Sequence, residues 1–123
     1  MTPQEWTSYL DWRPAFAEVI DAKYYTLEWL DRQLLDGEAF FICTPNAAII
    51  YELKTYPTGA QDIHGLIAAG ELSDIRDVLI PVAEDRGRSL NCVGALISSR
   101  EGWAKALRSS GYEPYQVTIR KSL

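Results

Sequence analysis

Residues 73–123 read helix, strand, helix, strand, and that order fixes much of what the chain can become. It describes helices laid on a sheet. Ser73 is placed to cap the first helix, and Ile75, Val78, Leu79, Val82 and Ala83 follow helical spacing. Pro81 falls inside that pattern, so the helix is expected to bend or become irregular there, and Gly87 is its expected stop. Residues 91–97 form a short apolar run that predicts a buried strand. Ser98 and Glu101 then have capping-box spacing for a last helix. Trp103 and Leu107 lie one turn apart on its inner face, and Gly111 closes it. Tyr115, Val117 and Ile119 alternate with Gln116, Thr118 and Arg120, which predicts a half-buried strand over residues 115–121.

The first third is helical. Thr2, Pro3 and Glu5 give a cap, a first-turn proline and a capping box. Trp6, Tyr9 and Leu10 make the apolar stripe. Pro14 is expected to end that helix and start a second, with Phe16, Val19 and Ile20 inward. A third helix is expected from Thr26 to Asp36, with Leu27, Leu30 and Leu34 on one face and Gly37 as the stop. The period then changes. Residues 39–43 and 48–53 read as an antiparallel hairpin about Pro45-Asn46. Residues 62–68 read as a third strand, with Gly65 weakening it or marking a bulge. One domain over 1–123 is expected, with a helical part at 1–37 and a sheet with two helices at 38–123.

Hydrophobic residues make up 47% and charged residues 24%, which argues against disorder. A net charge of −5 disfavours a direct grip on nucleic acid. Acidic side chains concentrate in the first third and basic ones in the last, a pointer to a partner or anionic ligand on the basic side. Cys43 and Cys92 both sit in apolar strand-like runs and read as small hydrophobes. With no signal peptide and no apolar run near bilayer length, a reduced cytoplasmic setting without membrane insertion is expected.

The element order from about Thr26 onward, the small-residue helix and the Gly111-Tyr112 exit resemble the GNAT acetyltransferase family. The resemblance implies an α+β (α/β) fold: a mixed, mostly antiparallel sheet flanked by helices, with the family's first strand absent. Family enzymes hold the pyrophosphate of acetyl-CoA on a Gln/Arg-x-x-Gly-x-Gly/Ala turn, where backbone N–H groups and a helix start face the anion. The matching stretch here is Ala69, Gly70, Glu71, Leu72 and Ser73, followed by Asp74. It has one glycine, and two carboxylates that repel a pyrophosphate. Counting back from Gly111, the family's Asn position falls at Arg100 and its general-acid Tyr position at Leu107, which cannot donate a proton. If acetyl-CoA binds, these five turn residues and Arg100 are the candidate contacts. Arg100 reads either as an anion ligand through its fork of donors or as one half of a salt bridge.

In the family a base often comes from the middle strands, so the resemblance makes Glu52 and His64 the catalytic candidates, with Tyr112 or Tyr115 as a substitute acid, though each also reads as a core or strand aromatic. His64 is the only histidine, and beside Asp62 in a strand it also reads as structural. No metal-ligand spacing occurs, and Ser98-Ser99 lacks a nucleophile-elbow context. The Arg100-Glu101-Gly102-Trp103 sequence is similar to small GNAT-like proteins of tailed phages and prophages. That similarity implies a non-catalytic protein, cytoplasmic or in the virion, that acts through protein contacts and uses no cofactor. Its expected partner surface is the aromatic-rich N-terminal helices, with Trp6, Trp12, Tyr24, Tyr25 and Trp29, and its expected partners are phage structural proteins. The alternative implied by the family is an acetyl-CoA-dependent N-acetyltransferase, and a third expectation is a module that binds acyl-CoA or another anion without chemistry.

Overall fold

The structure is a computed structural model that describes residues 1–99 and 101–123, Glu101 through its backbone alone. Its elements run α1 (Pro3–Val19), α2 (Leu27–Leu35), β1 (Ala39–Cys43), β2 (Ala47–Thr55), β3 (Gln61–Gly70), α3 (Leu72–Asp74), a π-helical turn (Ile75–Leu79), α4 (Ile80–Ser89), β4 (Gly94–Ile97), α5 (Glu101–Ala106) and a 3-10 turn (Arg108–Ser110). The four strands form one sheet in the order β1-β2-β3-β4. The first two pairings are antiparallel and the last is parallel. The mixed, mostly antiparallel α+β expectation holds.

Alternation along β2 divides the core into two clusters. Ala48 and Ile50 face α1 and α2 with Tyr9, Phe16, Leu30, Leu34 and Phe41. Ala47, Ile49 and Tyr51 face the π-helical turn and α4 with Ile63, Ile75, Leu79, Ile80 and Leu107.

Pro14 does not divide α1, which runs unbroken from Pro3 to Val19. An internal proline costs about 3 kcal/mol. Here Tyr9 and Phe16, two turns apart, are both fully buried, and each contributes about 1.5–3 kcal/mol. The carbonyl that Pro14 leaves unpaired belongs to Leu10, whose residue is 45% exposed. Val19 is exposed too, so of the expected inward set Phe16 is buried and Ile20 half-buried. The Tyr9 hydroxyl donates to Asp31 at 2.6 Å, and the Arg13 guanidinium pairs with both Asp31 oxygens at 2.9 and 2.8 Å, joining α1 to α2. Burial works against the Asp31 charge, yet the Arg13 fork and Tyr9 hydroxyl outweigh it and hold the carboxyl below its usual range.

Other expectations needed correction. The helix after β3 starts at Leu72, with Glu71 rather than Ser73 at its cap position and no side-chain cap bond. Pro81 is accommodated by the π-helical turn before it, where the Ile80 N–H donates to Ile75 five residues back. The extra residue rotates the buried face: Val78 and Val82 are exposed, and Ile80 and Gly87 take the inner positions. Gly87 is therefore a contact point rather than a stop, since a Cβ there would lie 2.5 Å from Ile63 Cγ1. Asn91, at φ 62, ends the helix instead. That shortens β4 to Gly94–Ile97 and leaves Cys92 outside any strand, while Cys43, at the end of β1, is exposed. The last helix is shorter than expected, Glu101–Ala106, with Gly111 in the left-handed region at its close as anticipated.

No strand forms over residues 115–121. Tyr115, Val117 and Ile119 are 83–90% exposed. A period of two gives a half-buried strand only where a neighbouring strand supplies the ladder, and this segment pairs with none. Among the described residues no helix is long and apolar enough to cross a membrane.

Candidate active site

The β2–β3 hairpin sets Glu52 opposite His64. Two residues along from Ile50, both point to the sheet face that carries α1 and α2. His64 Nδ1 lies 2.9 Å from Glu52 Oε2, with the two side chains 13% and 33% exposed. A carboxylate only accepts, so in the neutral ring it places the proton on Nδ1 and leaves the lone pair on Nε2. Nε2 lies 3.5 Å from the Ser98 hydroxyl oxygen. Ser98 is the first residue beyond β4, and the parallel pairing of Gly65 with Ile97 brings it there.

A bulge then opens the sheet. Ile50 pairs with Ile67 and Tyr51 with Gly65, so Leu66 is the extra residue of β3. Gly65 does mark a bulge, as its position suggested. Leu66 and Ile67 consequently both pack toward the α1–α2 side. Pairing with β4 stops at Gly65, and β3 continues to Gly70 without it. The opening is a cleft of about 300 Å³ bordered by His64, Leu66, Ile67 and Ser98. Its far wall comes from the α1–α2 connection and α2: Asp21, Tyr25 and Trp29. The Tyr25 and Trp29 rings sit 5.0 Å apart between centroids. Aromatic faces beside a carboxylate suit a cationic group.

The other expected positions lie elsewhere. Tyr112 packs on the opposite face of the sheet, where its hydroxyl donates to Glu84 at 2.8 Å. Burial, then Glu84, pushes the Tyr112 phenol well above its usual range. It does not reach the His64 cleft. The turn at the end of β3 is tightly jointed: Gly70 has φ +100, and a Cβ on it would lie 2.3 Å from the Asn46 carbonyl. The Glu71 N–H is taken by that carbonyl at 3.0 Å, and Asp74 accepts from Thr44 Oγ1 at 2.6 Å. Ala69 is buried, and Leu72 and Ser73 are exposed. The Arg100 anion contact and the Glu101 half of the capping box lie outside the described residues.

A second concavity of about 350 Å³ lies between α1 and the β1–β2 turn, with Asp11 and Cys43 among its lining. Burial raises the Cys43 thiol, so it is a poor nucleophile. Among the described residues no cluster of three or more His, Cys, Asp or Glu could hold a metal ion. Of the N-terminal aromatics, Trp6 and Trp12 pack against the core, while Tyr24, Tyr25 and Trp29 are 54%, 49% and 37% exposed.

The sequence reading named Glu52 and His64 as separate candidate bases; it did not pair them, and it missed the place of Ser98 and the far wall. The signal that could have paired them is local: each residue lies six positions from Thr58, at the turn between β2 and β3. Ser98 depends on a parallel register between distant segments, for which no local signal exists.

No protein-family model matches the sequence, and neither does any curated protein. Solved structures do. A Trypanosoma brucei acetyltransferase aligns over 100% of this chain and 96% of its own, at TM-score 0.68 and 12% identity. Glucosamine-6-phosphate N-acetyltransferase from Arabidopsis thaliana aligns over 94% and 90%, at 0.66 and 10%. A predicted acetyltransferase from Clostridium acetobutylicum, solved with acetyl-CoA, aligns over 99% and 92%, at 0.65 and 8%. With its mixed sheet and flanking helices, the chain has the GNAT acetyltransferase fold.

Proposed function

We propose that the chain is an acetyltransferase that moves an acetyl group from acetyl-CoA to an amine, with His64 as the general base. The observation that carries this reading is the Glu52–His64 pair, 2.9 Å apart, at the point where β3 and β4 separate. Of the functions implied by the sequence, the structural neighbours support this one over a non-catalytic, virion-associated role.

A base must reach the proton it removes and must hold a free lone pair. Glu52 supplies the second condition by fixing the proton on Nδ1, and the cleft supplies the first. Tyr25, Trp29 and Asp21 give an incoming ammonium group a favourable wall. Once the ammonium has lost a proton to solvent, the amine nitrogen would bond to the acyl carbon and give its second proton to Nε2; the bond from that carbon to sulfur would break, and the departing thiolate would take the proton back from His64.

Acetyl-CoA would supply the activated acyl thioester. The open edge of β3 past Gly65 fits an extended chain lying alongside it. The turn formed by Gly70, Glu71, Leu72 and Ser73 would meet the anionic end through backbone N–H groups only. The Glu71 N–H is already committed, and the Glu71 carboxylate opposes the anion. Weak binding follows, near the millimolar range that corresponds to about 4 kcal/mol.

The test is thiol release from acetyl-CoA in the presence of primary amines, with calorimetry of acetyl-CoA binding alongside. Turnover that collapses in His64→Ala is the expected result. The absence of both binding at millimolar acetyl-CoA and thiol release would contradict the proposal.

A further inference from the structure

We infer that Ser98 is a nucleophile that carries the acyl group as a covalent ester, with His64 and Glu52 completing a Ser-His-Glu relay. The inference rests on the reading of His64 as a base, and it adds a step. Three side chains stand in line: Glu52 Oε2 is 2.9 Å from Nδ1, and Nε2 is 3.5 Å from Ser98 Oγ. Because Glu52 holds the proton on Nδ1, the only ring atom able to act as a base is the one facing Ser98. A base, an orienting acid and a hydroxyl define such a triad by geometry, whatever their order in the chain. Catalytic hydrogen bonds of this kind are commonly long before a reactant is bound.

Ser98 also lies where an acyl carbonyl can arrive. It borders the cleft beside Leu66 and Ile67, past the last β3–β4 pair. The wall of Tyr25, Trp29 and Asp21, which suits a cationic amine, stands across the same space. Ser98 is exposed, so a reactant reaches its hydroxyl without displacing the core.

The step balances as follows. The Ser98 hydroxyl proton passes to Nε2 as Oγ bonds to the acyl carbon. The tetrahedral adduct then collapses, the bond from carbon to the thiolate or alkoxide breaks, and the leaving group takes the proton from His64. An amine, or water, attacks the Ser98 ester and gives its proton to Nε2. The C–Oγ bond breaks and Ser98 regains its proton. Nothing is oxidised or reduced. The acyl donor is an activated thioester or ester, and the weak anion turn does not require it to carry a pyrophosphate.

The probe is para-nitrophenyl acetate, an activated ester with no CoA portion, read by stopped-flow absorbance and intact mass. The wild-type chain should release a burst of about one equivalent of nitrophenolate and gain one acetyl group, mapped to Ser98. Ser98→Ala should abolish both while keeping the wild-type melting curve. Ser98→Cys should restore acylation, as a thioester. His64→Ala should slow acylation about 100-fold or more. Glu52→Gln, which alters positioning, should shift the pH profile of the burst. An acetyl group that persists in Ser98→Ala, or that maps to another residue, overturns the inference. If acetyl-CoA turnover with an amine is undiminished in Ser98→Ala, Ser98 is overturned and direct transfer through His64 stands. If the ester acylates Ser98 but acetyl-CoA gives no turnover, Ser98 stands and the acetyl-CoA reading falls. If neither occurs, both fall.

Discussion

The two halves of β3 carry the two places where chemistry was expected, and they differ in what their polar groups are doing. Around Gly70 the groups are already engaged: Asn46 holds the Glu71 N–H, Thr44 holds Asp74, and Gly70 is pressed against the Asn46 carbonyl. Around His64 they converge on open space: a lone pair, a hydroxyl and an aromatic wall border one cleft. The Gly70 turn is a structural joint with little left for a ligand. The His64 half is a constellation that the β2–β3 and β3–β4 registers bring together at the border of a cleft.

That contrast is easiest to break at His64. His64→Ala should lower kcat/KM for acyl transfer by about 10²–10⁴-fold, whereas Ser73→Ala in the turn should change it little. The reverse ranking, measured by thiol release, would move the chemistry to the turn. Gly70→Ala tests the joint. Strain at φ +100 and a Cβ 2.3 Å from a carbonyl oxygen should cost stability, about 3 kcal/mol or more, read from the urea midpoint. A neutral result would show that the turn is adaptable.

The joint between α1 and α2, the helix that carries Trp29, gives a third test. Asp31→Ala removes the link between α1 and α2 and should cost about 2 kcal/mol by the same measurement. The pH dependence has a definite sign. The folded Asp31 carboxyl titrates below its ordinary value of 3.8, so its contribution is present above that pH. It is lost as pH falls through the lower, folded value. Acid unfolding of the wild type should show this loss and Asp31→Asn should not; parallel acid curves for the two would contradict it. The smallest effect is expected at Glu71. Glu71→Gln should tighten acetyl-CoA binding by only a few-fold, since an exposed charge interacts by about 1 kcal/mol in water. Unchanged or weaker binding by calorimetry would place the anion elsewhere.

Local patterns carried most of the architecture. The Thr2 and Thr26 caps, the Gly37 and Gly111 stops, the hairpin and the bulge beside Gly65 are each decided by residues near in sequence. Features set by distant contacts were not legible. Pro14 reads as a break until Tyr9 and Phe16 are seen buried on both sides of it. Val78 and Val82 read as core until the π-helical turn rotates them outward. Tyr115, Val117 and Ile119 read as a strand, yet nothing beside them supplies a ladder. The candidate site follows the same division: Glu52 and His64 are paired by a local hairpin, whereas Ser98 joins them only through the β3–β4 register.

The most direct measurement is amide chemical-shift mapping of the labelled chain as acetyl-CoA is titrated in. Acyl chemistry in the cleft predicts that the shifts reach His64, Leu66, Ile67 and Ser98, the residues that border it. No shift at these residues, or shifts confined to the opposite face near Tyr112 and Glu84, would contradict it.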